Sequence, residues 1–292
     1  MIQTLSSDAF AGQLSAPTAV GVGPIFRGKI DLGEEKSARC YIKPLPDHVE
    51  LSNGRILENR ELLNEALGYV IAKAAGYTVA EKAGIIMLNL EQIPEATRNL
   101  LIQKTPKSKP QKDYLSWFSE DMQQPNLLKR VDKTAPPQLR NRQLAHLARK
   151  LVEHPETAAI VSFDEWIENC DRNLGNLLER PDGRLSLIDH GWMFRVPIWS
   201  PHSLKSSPYK LCNTIKELVN NHTSQWSERS PVKSARLMAY NNLAQTWRTK
   251  GSAAAQAVLD DFLDSFEKDS VMSFLSDRLD PPNYRQVVGL LL

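Results

Sequence analysis

Cysteine is scarce in this chain: Cys40, Cys170 and Cys212 stand far apart among 292 residues, with no C-x-x-C pair and no Cys/His cluster. That spacing argues against a disulfide framework and against structural zinc, and it fits a reducing compartment. No apolar stretch reaches the roughly 18 residues that a membrane-spanning helix needs, so no span is expected. The opening "MIQTLSSDAFAGQLSAPTAV" lacks a basic start followed by an apolar run and does not read as a signal peptide. Charge of one sign is not in excess either. Thirty-six basic residues face 34 acidic ones, which gives no support for nucleic acid or an anionic membrane as main partner. The six histidines are scattered, no internal repeat is apparent, and no nucleophile elbow occurs. These absences leave a cytoplasmic globular chain, long enough for one large domain or two lobes.

What is present divides in two. In the first half, "AVGVGPIFRGKIDL" (19–32) has glycines and short apolar pairs, and "ARCYIKPL" (38–45) is strand-like. "ENRELLNEALGYVIAKAAGY" (58–77) carries Leu62, Leu63, Ala66, Leu67, Val70, Ile71 and Ala74 at helical spacing, with Gly76 at the expected stop. "AGIIMLNL" (83–90) is a further strand. The segment "QKTPKSKPQKD" (103–113) reads as a solvated loop. Helices are predicted at about 138–152 and over "PETAAIVSFDEWIENC" (155–170), and the pattern beyond residue 210 is mostly helical. The expectation is an α+β fold, with a small mixed lobe over 1–90 and a larger, mainly helical lobe over 91–292.

The chemistry concentrates in "IENCDRNLGNLLERPDGRLSLIDHGWMF" (167–194), which sets Asp171, Arg172, Asn173, Asn176 and Asp189 among apolar residues. Buried polar groups need partners or cost a few kcal/mol each. Pro181-Asp182-Gly183 between apolar runs is a hairpin signal, and a hairpin there returns Asp189 towards Asn176. An amide oxygen and a carboxylate converging in this way suit Mg²⁺, a hard cation that completes its shell with phosphate and water. Asp171 is then placed to accept a hydroxyl proton. The order Asp-x-x-x-x-Asn, hairpin, Asp is that of protein-kinase catalytic loops. The plain alternative is that these residues are loop caps and turn formers. A kinase reading further requires a strand lysine paired with a helix glutamate, and Lys43 with Glu65 fits that requirement. Gly21 and Gly23 form a short Gly-x-Gly where backbone N–H groups could approach phosphate, while Gly28 reads as a turn.

These residues resemble a known family. "SFDEWIENCDRNLGNLL…GRLSLIDHGWMF" is similar to the catalytic core of the HipA-like kinases, in particular a short bacterial branch ending in "IDHG", and more distantly to phosphoinositide kinases. "NEALGYVIAKAAGYTV" is similar to that family's N-lobe helix. The resemblance implies a two-lobed protein-kinase-like fold with ATP between the lobes. It implies Asp171 as base, Asn176 and Asp189 as Mg²⁺ ligands, Lys43 as phosphate lysine and Glu65 as its partner. It also places the lobe-linking hinge at "MLNL" (87–90), with Met87 and Asn89 against adenine. "GVGPIFRGK" is short of a full glycine-rich loop, and His190 stands where protein kinases carry an aromatic residue. The expected activity is ATP- and Mg-dependent phosphotransfer to serine or threonine of a protein substrate. A lipid or small-molecule acceptor, AMP transfer and a non-catalytic binding module are the alternatives. The resemblance also allows a regulatory protein partner, and Ser203, Ser206 and Ser207 are candidate autophosphorylation sites.

Overall fold

The computed structural model describes residues 2–15, 23–34, 36–205 and 212–289. Gly21, Ser206 and Ser207 therefore lie outside the described residues. The chain divides into two units, one comprising 1–66 with 80–123 and the other 67–79 with 124–292.

The first unit is built on a six-stranded sheet. Its elements are β1 (Gln3–Leu5), β2 (Phe10–Gln13), β3 (Phe26–Ile30), β4 (Ala38–Pro44), the small hairpin β5 (His48–Glu50) and β6 (Ile56–Glu58), α1 (Glu61–Ala74), β7 (Ala83–Asn89), α2 (Glu95–Lys104) and β8 (Asp113–Glu120). The sheet order is β1-β7-β8-β4-β3-β2, antiparallel except where β1 pairs with β7 in parallel. Ile30, Ile42, Ile86, Leu88, Leu101 and Phe118 form its core. Gly28 is a packing position in mid-strand and not the turn expected from sequence. A Cβ there would fall 2.8 Å from both Ile42 and Phe10 side-chain atoms.

Two elements of this unit were not anticipated, α2 and β8. The lysine-rich segment is the connection between them, and β8 sits in the middle of the sheet, where it pairs with both β7 and β4. The chain leaves the sheet unit for the last time after Gln123, so the boundary expected at residue 90 falls inside the first unit.

The second unit takes in the C-terminal part of α1, which closes as predicted: Gly76 has φ +83° and the Tyr77 N–H reaches back to the Ala72 carbonyl. There follow α3 (Pro137–Glu153), α4 (Thr157–Trp166), the hairpin β9 (Leu177–Glu179) and β10 (Leu185–Leu187), α5 (Pro201–Lys205), α6 (Thr214–His222), α7 (Ser230–Thr246), α8 (Ser252–Phe262), α9 (Ser265–Asp277) and α10 (Pro281–Val287). A π-helical turn at Trp247–Gly251 joins α7 to α8. The architecture is thus α+β, with a sheet-bearing unit and a mainly helical unit. Among the described residues, no helix is long and apolar enough to cross a membrane.

The helix α4 is buried on nearly every side, which a one-sided apolar stripe would not require. Its C-terminal end stops earlier than the sequence suggests. Glu168 adopts φ +50°, a left-handed backbone that ends the helical ladder and turns the chain into the loop of interest.

Candidate active site

The loop after α4 is fixed by its own asparagines. Asn173 and Asn176 both donate through Nδ2 to the backbone carbonyl of Asp171, at 3.0 and 3.2 Å, and the Asn173 Oδ1 accepts from the Gly175 N–H at 2.7 Å. The backbone of Asp171 is thereby pinned from two directions while the residue itself stays exposed. Because the Asn176 amide nitrogen is committed to that carbonyl, its Oδ1 is the end left to accept.

The hairpin behaves as the sequence predicts. Leu177 to Glu179 pairs with Leu187 to Leu185, and Gly183 takes φ +81° in the turn. The ladder continues with the Ile188 N–H donating to the Asn176 carbonyl at 3.2 Å, which sets Asp189 one residue beyond that contact. Asp189 itself has φ +63°, a conformation that costs an ordinary L-residue energy and tends to persist at functional sites. The backbone contact thus brings the chain of Asn176 and that of Asp189 side by side, and an amide oxygen and a carboxylate are both hard oxygen donors of the kind Mg²⁺ takes. Among the described residues no group of three or more His, Cys, Asp or Glu could hold a metal alone, so phosphate and water oxygens would have to complete the shell.

The return of the hairpin is held to α4 by Arg172, a role not expected from the sequence. Its side chain is fully buried. The Nε donates to both carboxylate oxygens of Asp164 on α4, at 3.1 and 3.3 Å. The Nη1 donates to the backbone carbonyls of Ile188 and Asp189, and the Nη2 lies 3.1 Å from His190 Nδ1. A guanidinium can only donate, so Nδ1 is the acceptor and the imidazole carries its proton on Nε2. Arg172 therefore ties α4, the loop that follows it and the "IDHG" turn into one body. Burial pushes the Asp164 carboxyl up to about 6, against the opposing pull of Arg172.

Two more acids at the end of α4 complete this support. Glu165, fully buried, receives Lys216 at 2.6 Å, Arg236 at 2.6 Å and the Tyr284 hydroxyl at 3.1 Å. Glu168 receives Arg195 at 2.8 Å and Arg278 at 3.0 Å. Asp164, Glu165 and Glu168, three buried acids within five residues of an otherwise apolar stretch, were the available signal, since buried carboxylates demand cations. His190 packs edge-on to Phe163 and lies against Gly68 of α1. A Cβ at Gly68 would sit 2.4 Å from the His190 Cβ.

In the first unit, Lys43 projects from β4 and meets Glu65 at 2.8 Å, as predicted. It also meets Glu61 at 2.7 Å, one helical turn earlier and not predicted. Glu65 is buried and Lys43 half-buried, so the ammonium is locked between two carboxylates of α1. The remaining nucleotide expectations fare differently. Met87 and Asn89 lie in β7, paired opposite Leu115 and Asp113, and not in a connection between the units. The Asn89 Oδ1 accepts from the Glu91 and Gln92 N–H groups and so builds the turn after the strand. Gly23 lies in a bend before β3.

The expectation of unpaired cysteines is also corrected. Cys170, the residue before Asp171, is disulfide-bonded to Cys212, and their Cα atoms are 5.3 Å apart. A separation of 42 residues carried no sequence signal for the bond, and the argument from unpaired thiols to a reducing compartment falls with it. Cys40 remains a free, buried thiol.

No protein-family model matches this chain, and no curated protein matches it. Among solved structures, the chain is similar to a crystal structure of the Golgi casein kinase, with 12% sequence identity and a TM-score of 0.42 over 97% of this chain and 71% of that one. At that TM-score the likeness carries no argument, and the functional reading rests on the geometry of this chain's own residues.

Proposed function

We propose that this chain is an ATP- and Mg²⁺-dependent phosphotransferase of protein-kinase-like fold and HipA-like type, acting on serine or threonine of a protein. The observation that carries the reading is the joint placement of Asp171, Asn176 and Asp189. One asparagine donates to the backbone carbonyl of an exposed aspartate, and the hairpin returns the backbone of a second aspartate next to that asparagine. The ion-paired Lys43 supports the same reading, because a strand lysine held by a helix glutamate is a second requirement of phosphoryl transfer.

Asn176 and Asp189 are the residues that would hold Mg²⁺, and Lys43 is the cation for nucleotide phosphates. ATP would supply the phosphoryl group and Mg²⁺ the neutralisation of its charge. Asp171 carries the general-base role: its fixed backbone and exposed side chain suit it to accept the proton of an acceptor hydroxyl, a contribution of about 10²–10⁴ in rate. Glu61 and Glu65 hold Lys43 in place. Arg172 acts as a positioning residue, fixing the backbone on either side of the candidate metal ligand.

The test is transfer of label from γ-labelled ATP by the purified protein with Mg²⁺, alone and with cell lysate, beside Asp171→Asn. Label on the chain itself or on a lysate protein, lost in a folded Asp171→Asn variant, supports the proposal. Transfer from α-labelled ATP instead would replace it with AMP transfer. Undiminished transfer by the variant would remove Asp171 from the base role.

A further inference from the structure

The bond between Cys170 and Cys212 lies one residue from the candidate base, where covalent chemistry could act on it without touching it. Cys170 precedes Asp171 directly, and Cys212 precedes Asn213, whose Oδ1 caps α6 by accepting from the Lys216 N–H at 2.8 Å. Beside the disulfide, the Thr214 hydroxyl donates to the Cys170 carbonyl at 2.6 Å, and Lys216 reaches Glu165 at the end of α4. The start of α6 is therefore latched to the loop by a covalent bond, a hydrogen bond and an ion pair. The enclosed chain includes Asp171, Arg172, Asn176 and Asp189. Both cysteines are half-buried, which leaves them within reach of a thiol. The third, Cys40, is fully buried in the first unit, and burial pushes its thiol up to about 12, so it does not compete in exchange.

We propose that Cys170 and Cys212 are a thiol–disulfide exchange site, reduced by a dithiol, whose oxidised form holds the Asp171 loop against α6 and whose reduced form releases it. One thiolate of the dithiol attacks one sulfur of the pair, the S–S bond breaks, and the departing cysteine takes up a proton. The second thiolate then attacks the mixed disulfide, freeing the other cysteine as a thiol and leaving the reductant as a cyclic disulfide. Two electrons and two protons pass to the protein. The exchange itself is independent of the phosphotransfer reading; only its effect on turnover rests on that reading. With the bond open, Asp171 keeps its two asparagine contacts but loses the covalent anchor one residue away. A loosened base should lower kcat about tenfold, since an ångström of misplacement can cost about 100-fold, while nucleotide KM is little changed.

The test equilibrates the full chain in a series of reduced and oxidised dithiothreitol ratios, quenches each with an alkylating reagent and counts modified cysteines by mass. Amide exchange over 170–176 and label transfer from ATP are measured on the same samples. The proposal predicts that Cys170 and Cys212 convert together in folded protein, that exchange over 170–176 quickens on reduction, and that turnover falls. Cys170→Ser and Cys212→Ser should each resemble the reduced form and respond no further to dithiol. If the chain shows no transferase activity in any state, the proposal still stands or falls on the alkylation and amide-exchange readouts. It is overturned if the two cysteines never link, if the bond opens only on global unfolding, or if both redox states exchange amides and turn over alike.

Discussion

Removing the Arg172 side chain, as in Arg172→Met, should be the most damaging single change in the second unit. Methionine keeps most of the length and apolar stem but deletes every donor. Asp164 is then left fully buried without its cation, and the carbonyls of Ile188 and Asp189 and the His190 Nδ1 lose a donor together. Breaking a buried pair by removing one partner costs about 3–5 kcal/mol, and each orphaned acceptor adds about 1–3 kcal/mol where water cannot replace the donor. Against a total stability of roughly 5–15 kcal/mol, the variant should be marginally folded. At about 2–4 °C per kcal/mol for a unit of this size, the midpoint of thermal unfolding should drop by at least roughly 10 °C. The loss has a pH signature. Burial already raises the Asp164 carboxyl to about 6 against the pull of Arg172, and deleting Arg172 raises it further, so in acid the abandoned carboxyl is neutral and the penalty shrinks. Thermal melts of both proteins at pH 5 and pH 8, followed by tryptophan fluorescence, would show a larger gap at pH 8. A variant melting within a degree or two of the parent at both values would refute the view that Arg172 binds α4, loop and "IDHG" turn together.

Other consequences follow from the same geometry. Between about pH 4 and 6 the folded chain retains a proton on Asp164 that an ordinary carboxylate at 3.8 releases, so this group's contribution is full below that window and is lost as pH rises through it. Relative to Asp164→Asn, the parent should therefore lose on the order of 3 kcal/mol across the window, and a flat difference in denaturant stability would contradict the assignment. Gly68→Ala places a methyl where the His190 Cβ and Met193 Sδ already lie, at 2.4 and 2.9 Å. It should cost about 1–3 kcal/mol by overpacking and shift the His190 ring resonances in NMR, whereas Ala66→Gly, elsewhere in the helix, should leave those resonances in place. Lys43→Met takes from Glu61 and Glu65 the ammonium they share and should be less stable than Glu61→Gln, which keeps the buried Lys43–Glu65 pair. Equal melting points for the two would argue against the lysine as the centre of that cluster.

Local chemistry made part of this structure legible from the sequence. The Pro181-Asp182-Gly183 turn, the stop at Gly76 and the helix over α4 follow from residues that act on their immediate neighbours. So does the Lys43–Glu65 pair, because a carboxylate beside an apolar helix stripe needs a cation. The misses are long-range. In β8, Tyr114, Ser116, Trp117 and Phe118 are all buried, so a central strand covered on both faces shows none of the alternation that marks a strand with one wet face. The boundary was placed too early because the apolar end of β7 resembled a hinge, while the sheet still had β8 to take in. Arg172 serves partners 8 to 18 residues away, and no periodicity reports a buried guanidinium. The cysteine pair is separated further still, and distance along the chain says nothing about distance in space.

The central claim is that Asn176 and Asp189 bind the metal that accompanies ATP. Calorimetric titration of ATP into the purified protein, with and without Mg²⁺, tests it most directly when repeated on Asn176→Ala and Asp189→Asn. The account predicts that Mg²⁺ strengthens ATP binding to the parent and that this enhancement disappears in both folded variants. Mg²⁺-enhanced binding that persists unchanged in both would contradict it.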